Sequence, residues 1–161
     1  MSYSYGLLTS LEALSWCRII CNHLGHGVNK KAIALLMETA MQETHLGQYA
    51  DPTPNGAGMG LCQFDEIAFK DVKQRTRSKD IQKIQKYFGV HIMNVEHRDL
   101  KHSPMLSLLF CRLFYRLIPE EIPKTVEDRA KYWKKYYNTV KGKGNASEYI
   151  HNAKRIRIRY S

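Results

Sequence analysis

The sequence lacks any long apolar run, and few of its residues break secondary structure. Only 5 of its 161 residues are proline, and no internal repeat or low-complexity segment occurs. No uninterrupted apolar stretch approaches the length needed to cross a bilayer, so we predict no membrane insertion. The first six residues contain no basic group, and polar residues interrupt the apolar run after them, so we predict no signal peptide.

Cysteine is also scarce, and its pattern indicates neither a disulfide framework nor a metal site. The four cysteines are Cys17, Cys21, Cys62 and Cys111. Two of them lie close to His23 and His26, but their spacing misses the usual zinc-finger pattern. Cys17 and Cys21 are one helical turn apart on an apolar face, which is typical of small core residues. We therefore predict reduced core cysteines, no metal and no cofactor.

The composition of the chain predicts one folded, mainly helical domain with a basic surface. Apolar residues make up 43% and aromatic residues 11%, which argues against disorder. The length suffices for one domain with a core. Basic residues number 25 against 15 acidic ones, giving a net charge of +10. That excess favours a polyanionic partner, such as nucleic acid, anionic lipid or the bacterial cell wall.

An apolar helix over residues 35–46 that ends with a carboxylate is the centre of the prediction. At 100° per residue, Leu36, Ala40 and Glu43 form one stripe, and Gly47 offers a stop just beyond it. Burial against a hydrophobic core raises the pKa of a carboxyl group, which then can act as a general acid. The other carboxylate of this helix, Glu38, points about 140° away, so we interpret it as solvated or structural.

Further helices are indicated by caps and by periodic apolar residues. We predict caps at Ser10, Asn29, Asp65, Ser103 and Thr125. The helix after Thr125 has a core-facing stripe that ends at Tyr137, and a last helix is expected to start near 147–148. The basic segment 154–161 alternates in polarity, which fits either a tail or an edge strand.

Two further segments carry the pattern of a known family. Residues 55–63 read Asn-Gly-Ala-Gly-Met-Gly-Leu-Cys-Gln, and residues 136–139 read Tyr-Tyr-Asn-Thr before Gly142 and Gly144. Together with the helix that ends in Glu43, they resemble the lytic transglycosylases of the lysozyme superfamily, most of all small bacteriophage members. One difference is that the usual Gly-Ala pair is inverted to Ala57-Gly58.

The resemblance implies a lysozyme-like single domain over residues 1–161, with an active-site cleft and a basic tail at 154–161. The implied substrate is the glycan strand of peptidoglycan, cut between N-acetylmuramic acid and N-acetylglucosamine. Glu43 is then the catalytic acid and base, assisted by Tyr137. Gln63 and the backbone of Met59 and Gly60 are expected to bind the sugar acetamido groups.

Asn138 belongs to the same implied substrate-binding set, although we expect it to shape its loop more than to touch substrate. A protein of this kind is made in the cytoplasm of a bacterial host. It is either associated with the virion, alongside other virion or tail proteins, or released to act on the periplasmic wall.

Two alternatives stay open at the level of sequence. Asp51 is the only acidic residue between Glu43 and the glycine-rich loop, and a hydrolytic muramidase needs such a second carboxylate as base. Asp before proline is also a common turn residue. The other alternative is a non-catalytic, basic virion or nucleic-acid-binding protein on the same fold.

Overall fold

The chain folds as a mainly helical protein with one short hairpin. The computed structural model describes residues 3–50, 56–139 and 142–160. Its helices and strands are α1 (Ser10–Leu24), α2 (Ala32–Thr44), β1 (Gly58–Met59), β2 (Phe64–Asp65), α3 (Glu66–Arg75), α4 (Ser78–Phe88), α5 (Pro104–Arg116), α6 (Val126–Trp133) and α7 (Ala146–Lys154). The two strands pair antiparallel, Gly58 with Asp65 and Met59 with Phe64. Two short 3₁₀ turns, Ile92–Asn94 and His97–Leu100, precede α5.

Helix α2 lies in the middle of the core, in contact with α1, α5 and α7. From Ala34 to Met41 every one of its side chains is buried. A helix that is apolar nearly all round is stable only when other elements surround it. Its last turn, which carries Glu43, is the part that reaches the edge of the core.

The predicted starts of three helices need correction. Helix α1 is capped by Thr9 rather than Ser10, since the Thr9 hydroxyl accepts the Glu12 amide at 3.1 Å. Asn29 does not cap α2; its amide donates to the carbonyl of Ile122 at 2.8 Å, which ties the α1–α2 loop to the segment before α6. Helix α7 begins after Asn145, whose side chain accepts the Glu148 amide at 2.9 Å.

Other local predictions are confirmed. The side chain of Asp65 accepts the Ala68 amide at 2.7 Å at the start of α3. Ser103 and Thr125 cap α5 and α6 in the same way.

Helix α2 ends earlier than the predicted stop at Gly47. His45 and Leu46 already have φ of 49° and 53°, in the left-handed region that most side chains avoid. Their amides donate to Met41 and Ala40 carbonyls, so the turn pairs the last groups of the helix.

Glu38 is structural and not solvated. Its side chain is fully buried and forms a bidentate ion pair with Arg129 of α6, at 2.7 and 2.8 Å. The hydroxyl of Tyr149 donates to Oε1 at 2.9 Å, and that of Tyr160 donates to Oε2 at 2.8 Å. The described part of the basic tail therefore folds back onto α2, and it forms no strand.

Helix α6 continues directly into a π-helical turn, Lys134–Asn138. A π turn holds more residues than an α turn, so it rotates the side chains that follow it. Through this turn Tyr136, Tyr137 and Asn138 reach the same cleft as Glu43.

The four cysteines are free and buried, as predicted. Among the residues that the structure describes, no helix is long and apolar enough to cross a membrane.

Candidate active site

A cleft of about 880 Å³ opens where the end of α2, the hairpin, α3, α5 and the π turn meet. Of the predicted site residues, it brings together Glu43, Gln63, Tyr137 and Asn138. The other described lining residues are Tyr49, Ala50, Ala57, Gly58, Phe64, Asp65, Ile67, Ala68, Asp71, Phe114, Tyr136 and Thr139. A space of this size accommodates a ligand of several sugar rings or a small peptide.

Glu43 lies at the edge of the core, where α2 meets the cleft. The residue as a whole is half-buried, but protein atoms closely surround its carboxyl group. Desolvation raises the pKa of Glu43 to about 7, and the indole N–H of Trp133 acts in the opposite direction. A carboxyl group with a pKa near 7 is divided between its acid and base forms at neutral pH, which suits proton transfer in both directions.

Trp133 interacts with that carboxyl group, but the contact falls short of hydrogen-bond geometry. The ring is fully buried, and among the described residues its indole nitrogen has no partner with hydrogen-bond geometry. Orphaned buried N–H groups are rare in native structures. The N–H is therefore available to stabilise the carboxylate once Glu43 loses its proton.

Tyr137 contacts the hairpin rather than forming a direct bond to Glu43. Its hydroxyl donates to the backbone carbonyl of Cys62. Its ring packs edge-on against Phe114 and stacks on Tyr115, with centroids 5.4 and 5.6 Å apart. Burial raises the pKa of Tyr137 well above its usual value, so the phenol stays neutral. Through its hydrogen bond to Cys62 and its ring contacts, Tyr137 holds one wall of the cleft in place.

Gln63 has a strained backbone and a fixed side chain. Its φ is 47°, and its amide donates to the Gly60 carbonyl at 3.0 Å and the Tyr5 hydroxyl at 3.2 Å. A Cβ on Gly58 would lie 2.8 Å from Oε1 of Gln63, so only glycine permits this close approach across the hairpin. Such a preorganised amide at a cleft wall can bind hydroxyl or acetamido groups.

Met59 and Gly60 are not among the described residues that line the cleft; Ala57 and Gly58 take that place. Gly60 is buried with φ of 75°, and a Cβ there would meet the Leu100 carbonyl oxygen at 2.2 Å. Its role in the structure is to let the hairpin pack against the start of α5.

Asn138 reaches the cleft but is held by its own loop. Its Oδ1 accepts a hydrogen bond from the Lys134 ammonium at 2.7 Å. A Cβ on Gly142 would clash with that oxygen at 2.3 Å. Asn138 therefore contacts its own loop, and its part in binding substrate stays a prediction.

Several lining residues were missed by sequence reasoning. The apolar side chain of Ile67 and the aromatic ring of Tyr49 are both largely exposed, with 84% and 58% of the residue surface accessible. Asp65 and Asp71 add carboxylates to the cleft, whereas Asp51 lies outside the described residues. The only sequence signal for Ile67 is an apolar residue in the first turn of a helix whose core positions are Phe69 and Val72.

The charge of the cleft is opposite to that of the chain. Its described lining contains the carboxyl groups of Glu43, Asp65 and Asp71 but neither lysine nor arginine. The net charge of the whole chain is +10. The described lining therefore favours a neutral or cationic ligand over an anionic one.

Within the described ranges, no group of three or more His, Cys, Asp or Glu side chains is arranged to hold a metal ion. Comparison with models of protein families, with curated proteins and with solved structures found no match to this chain.

Proposed function

We propose that this protein is a peptidoglycan-cleaving enzyme with a lysozyme-like fold, acting as a lytic transglycosylase with Glu43 as its single catalytic carboxyl group. The observation that carries the proposal is the half-buried Glu43, whose pKa is raised to about 7, at the wall of a large cleft. The sequence resemblance at the helix end, the hairpin and the Tyr-Tyr-Asn segment supplies the substrate class.

In the proposed reaction, Glu43 first donates its proton to the glycosidic oxygen, and the bond from that oxygen to the anomeric carbon breaks. The sugar develops oxocarbenium character, as in other glycosidases. The carboxylate then takes the proton of the C6 hydroxyl on N-acetylmuramic acid. The C6 oxygen closes onto the anomeric carbon, which yields a 1,6-anhydro end, regenerates the acid and consumes no water.

The surrounding groups have separate roles in this proposal. Gln63 holds an acetamido or hydroxyl group, and Tyr137 holds the hairpin so that Gln63 stays in place. Trp133 stabilises the carboxylate of Glu43 between the two proton transfers. The exposed faces of Tyr49 and Ile67 supply apolar surface for sugar rings.

The first experiment removes the proton donor without changing its shape. The Glu43→Gln variant is expected to release soluble muropeptides from purified sacculi at least about a hundredfold more slowly than the wild type. Glu127→Gln is the matched control, because Glu127 is exposed in the first turn of α6. Unchanged release by a folded Glu43→Gln protein would refute the assignment. DNA affinity with a steep salt slope would then favour the basic virion or nucleic-acid-binding alternative.

The second measurement identifies the reaction type by mass spectrometry of the released fragments. Anhydro-muramyl ends are expected from intramolecular ring closure. Reducing ends would instead mean that water is the nucleophile, and a second carboxyl group would be required. Asp51 and Asp65 are then the candidates to substitute with asparagine.

A further inference from the structure

A second, smaller pocket lies beyond the far end of α3, separate from the cleft. Its volume is about 270 Å³, and three arginines from two helices and a loop line it, Arg75, Arg77 and Arg116. Thr76, Asp80, Leu113 and Leu117 complete its described lining. Nothing in the proposed cleavage reaction uses these residues.

The single carboxylate of this pocket is already neutralised. Asp80 is buried and accepts two hydrogen bonds from Arg116, at 2.8 Å from Nε and 3.2 Å from the second terminal nitrogen. The remaining nitrogen of Arg116 donates to the Leu24 carbonyl at 2.8 Å. Arg116 and Asp80 therefore form a rigid floor with no net charge.

The two other arginines leave positive charge at the pocket. Arg77 is exposed, and within the described ranges its guanidinium has no hydrogen bond or ion pair. Arg75 pairs with Asp71 at 3.0 Å, but both side chains are about half exposed, so this pair is weak and exchangeable. Planar guanidinium groups match the geometry of carboxylate and phosphate oxygens.

We propose that the pocket between α3, α4 and α5 binds one compact oxyanion, a carboxylate or phosphate group, through Arg77 and Arg75 over the Arg116–Asp80 floor. The pocket is too small for a polymer backbone, so it recognises a single group. Two sources offer this chemistry: a free phosphate ion, or a carboxylate of the peptides attached to a glycan strand. The second source rests on the proposed function.

The position of the pocket relative to the cleft suits a substrate-linked carboxylate. Asp71 lines the cleft and Arg75 lines the pocket, one helical turn or about 6 Å further along α3. Their ion pair is thus the boundary between the two sites. An oxyanion bound at Arg75 competes with Asp71, which would release that carboxylate toward the cleft.

The test is a titration of the full chain with two separate probes, inorganic phosphate and a free wall-type stem peptide, followed through the arginine Nε–H signals by NMR. Saturable binding of at least one probe is expected, and Arg77→Gln should weaken it at least about tenfold. Arg98→Gln is the matched control, because Arg98 is exposed and pairs with Glu96 at 2.7 Å, outside the pocket lining. Neither residue is buried, so both variants are expected to fold.

The outcomes separate the two sources and the two proposals. Binding of phosphate alone identifies the free ion as the ligand, and binding of the peptide identifies the substrate-linked carboxylate. Absence of binding by both probes, or equal weakening by Arg77→Gln and Arg98→Gln, overturns the pocket assignment. Muropeptide release is measured in parallel, so failure of the pocket with intact release leaves the catalytic proposal standing, and the reverse also holds.

Discussion

Glu43 carries its proton in the folded protein up to about pH 7, whereas an unfolded chain releases it near the ordinary pKa of 4.5. Between these values the unfolded state binds fewer protons, so the free energy of unfolding falls as pH rises. Above pH 7 the full penalty is reached, roughly 3 kcal/mol for a pKa that is raised from 4.5 to about 7. The burial that makes Glu43 an acid therefore lowers the stability of the fold at neutral and basic pH.

The stability of the Glu43→Gln variant relative to the wild type should therefore depend on pH. We expect the variant to be more stable by roughly 3 kcal/mol near pH 8, because glutamine has no charge to desolvate, and we expect this gap to shrink toward about pH 4. Urea unfolding at several pH values measures this difference. A gap that does not change with pH would mean that the carboxyl group is solvated in the fold. Glu127→Gln, at an exposed position, should show no such trend.

The sequence predicts the environment of Glu43 but not that of Tyr137. Glu43 follows an apolar stripe at α-helical spacing, so its burial and the direction of its pKa follow from local periodicity. Tyr137 lies in a π turn, which sequence periodicity does not indicate. Its bond to the Cys62 carbonyl joins residues 75 positions apart, and such a contact depends on packing across the whole domain.

At the scale of elements, the buried Glu38–Arg129 pair holds α2 against α6, and the hydroxyls of Tyr149 and Tyr160 attach α7 and the tail to it. Removing one partner of such a pair leaves an uncompensated buried charge. Removing one of several hydrogen bonds to the same carboxylate leaves the charge compensated. The two kinds of change should therefore lower the free energy of unfolding by clearly different amounts.

We expect Arg129→Met to lower the free energy of unfolding by about 3–5 kcal/mol and Tyr160→Phe by only about 1–2 kcal/mol. Chemical denaturation of both variants provides the comparison. The double variant Glu38→Met with Arg129→Met serves as control, and it should be more stable than Arg129→Met alone. Equal losses for the arginine and the tyrosine would show that the ion pair does not dominate this junction.

A helix start could be predicted from sequence where the capping contact joins residues that are close in sequence. Asp65 and Ser103 each accept an amide three residues further on, and that pattern is visible in a short stretch of sequence. Asn29 has the same side-chain chemistry but donates to Ile122, 93 positions away. For the segment after α7 the sequence left a tail and an edge strand open, because the position of this segment depends on Tyr160 reaching Glu38, which no local pattern encodes.

At the scale of the whole molecule, much of the positive charge lies on elements beside the cleft and not in its described lining. The described cleft lining contains no lysine or arginine, while helices α3 and α4 and the loop between them carry many. These are Lys70, Lys73, Arg75, Arg77, Lys79, Lys83 and Lys86. If the substrate is an anionic wall, the two parts of the surface act separately: the basic helices attract the polymer, and the neutral-to-acidic cleft accepts an uncharged stretch of glycan.

This separation predicts two different salt dependences in one protein. Binding of the Glu43→Gln variant to purified sacculi should weaken steadily as ionic strength rises, since the Debye length falls from about 10 Å at 0.1 M to about 3 Å at 1 M. Binding of a short, uncharged glycan fragment to the same variant should change little, because it contacts only the cleft. Co-sedimentation measures the first and calorimetry the second.

Replacing Lys79 and Lys83 with glutamine should flatten the salt dependence of sacculus binding and leave the affinity for the glycan fragment unchanged. An equally steep salt dependence for the uncharged fragment would place basic groups inside the cleft, and the division between an attracting surface and an uncharged binding site would be wrong.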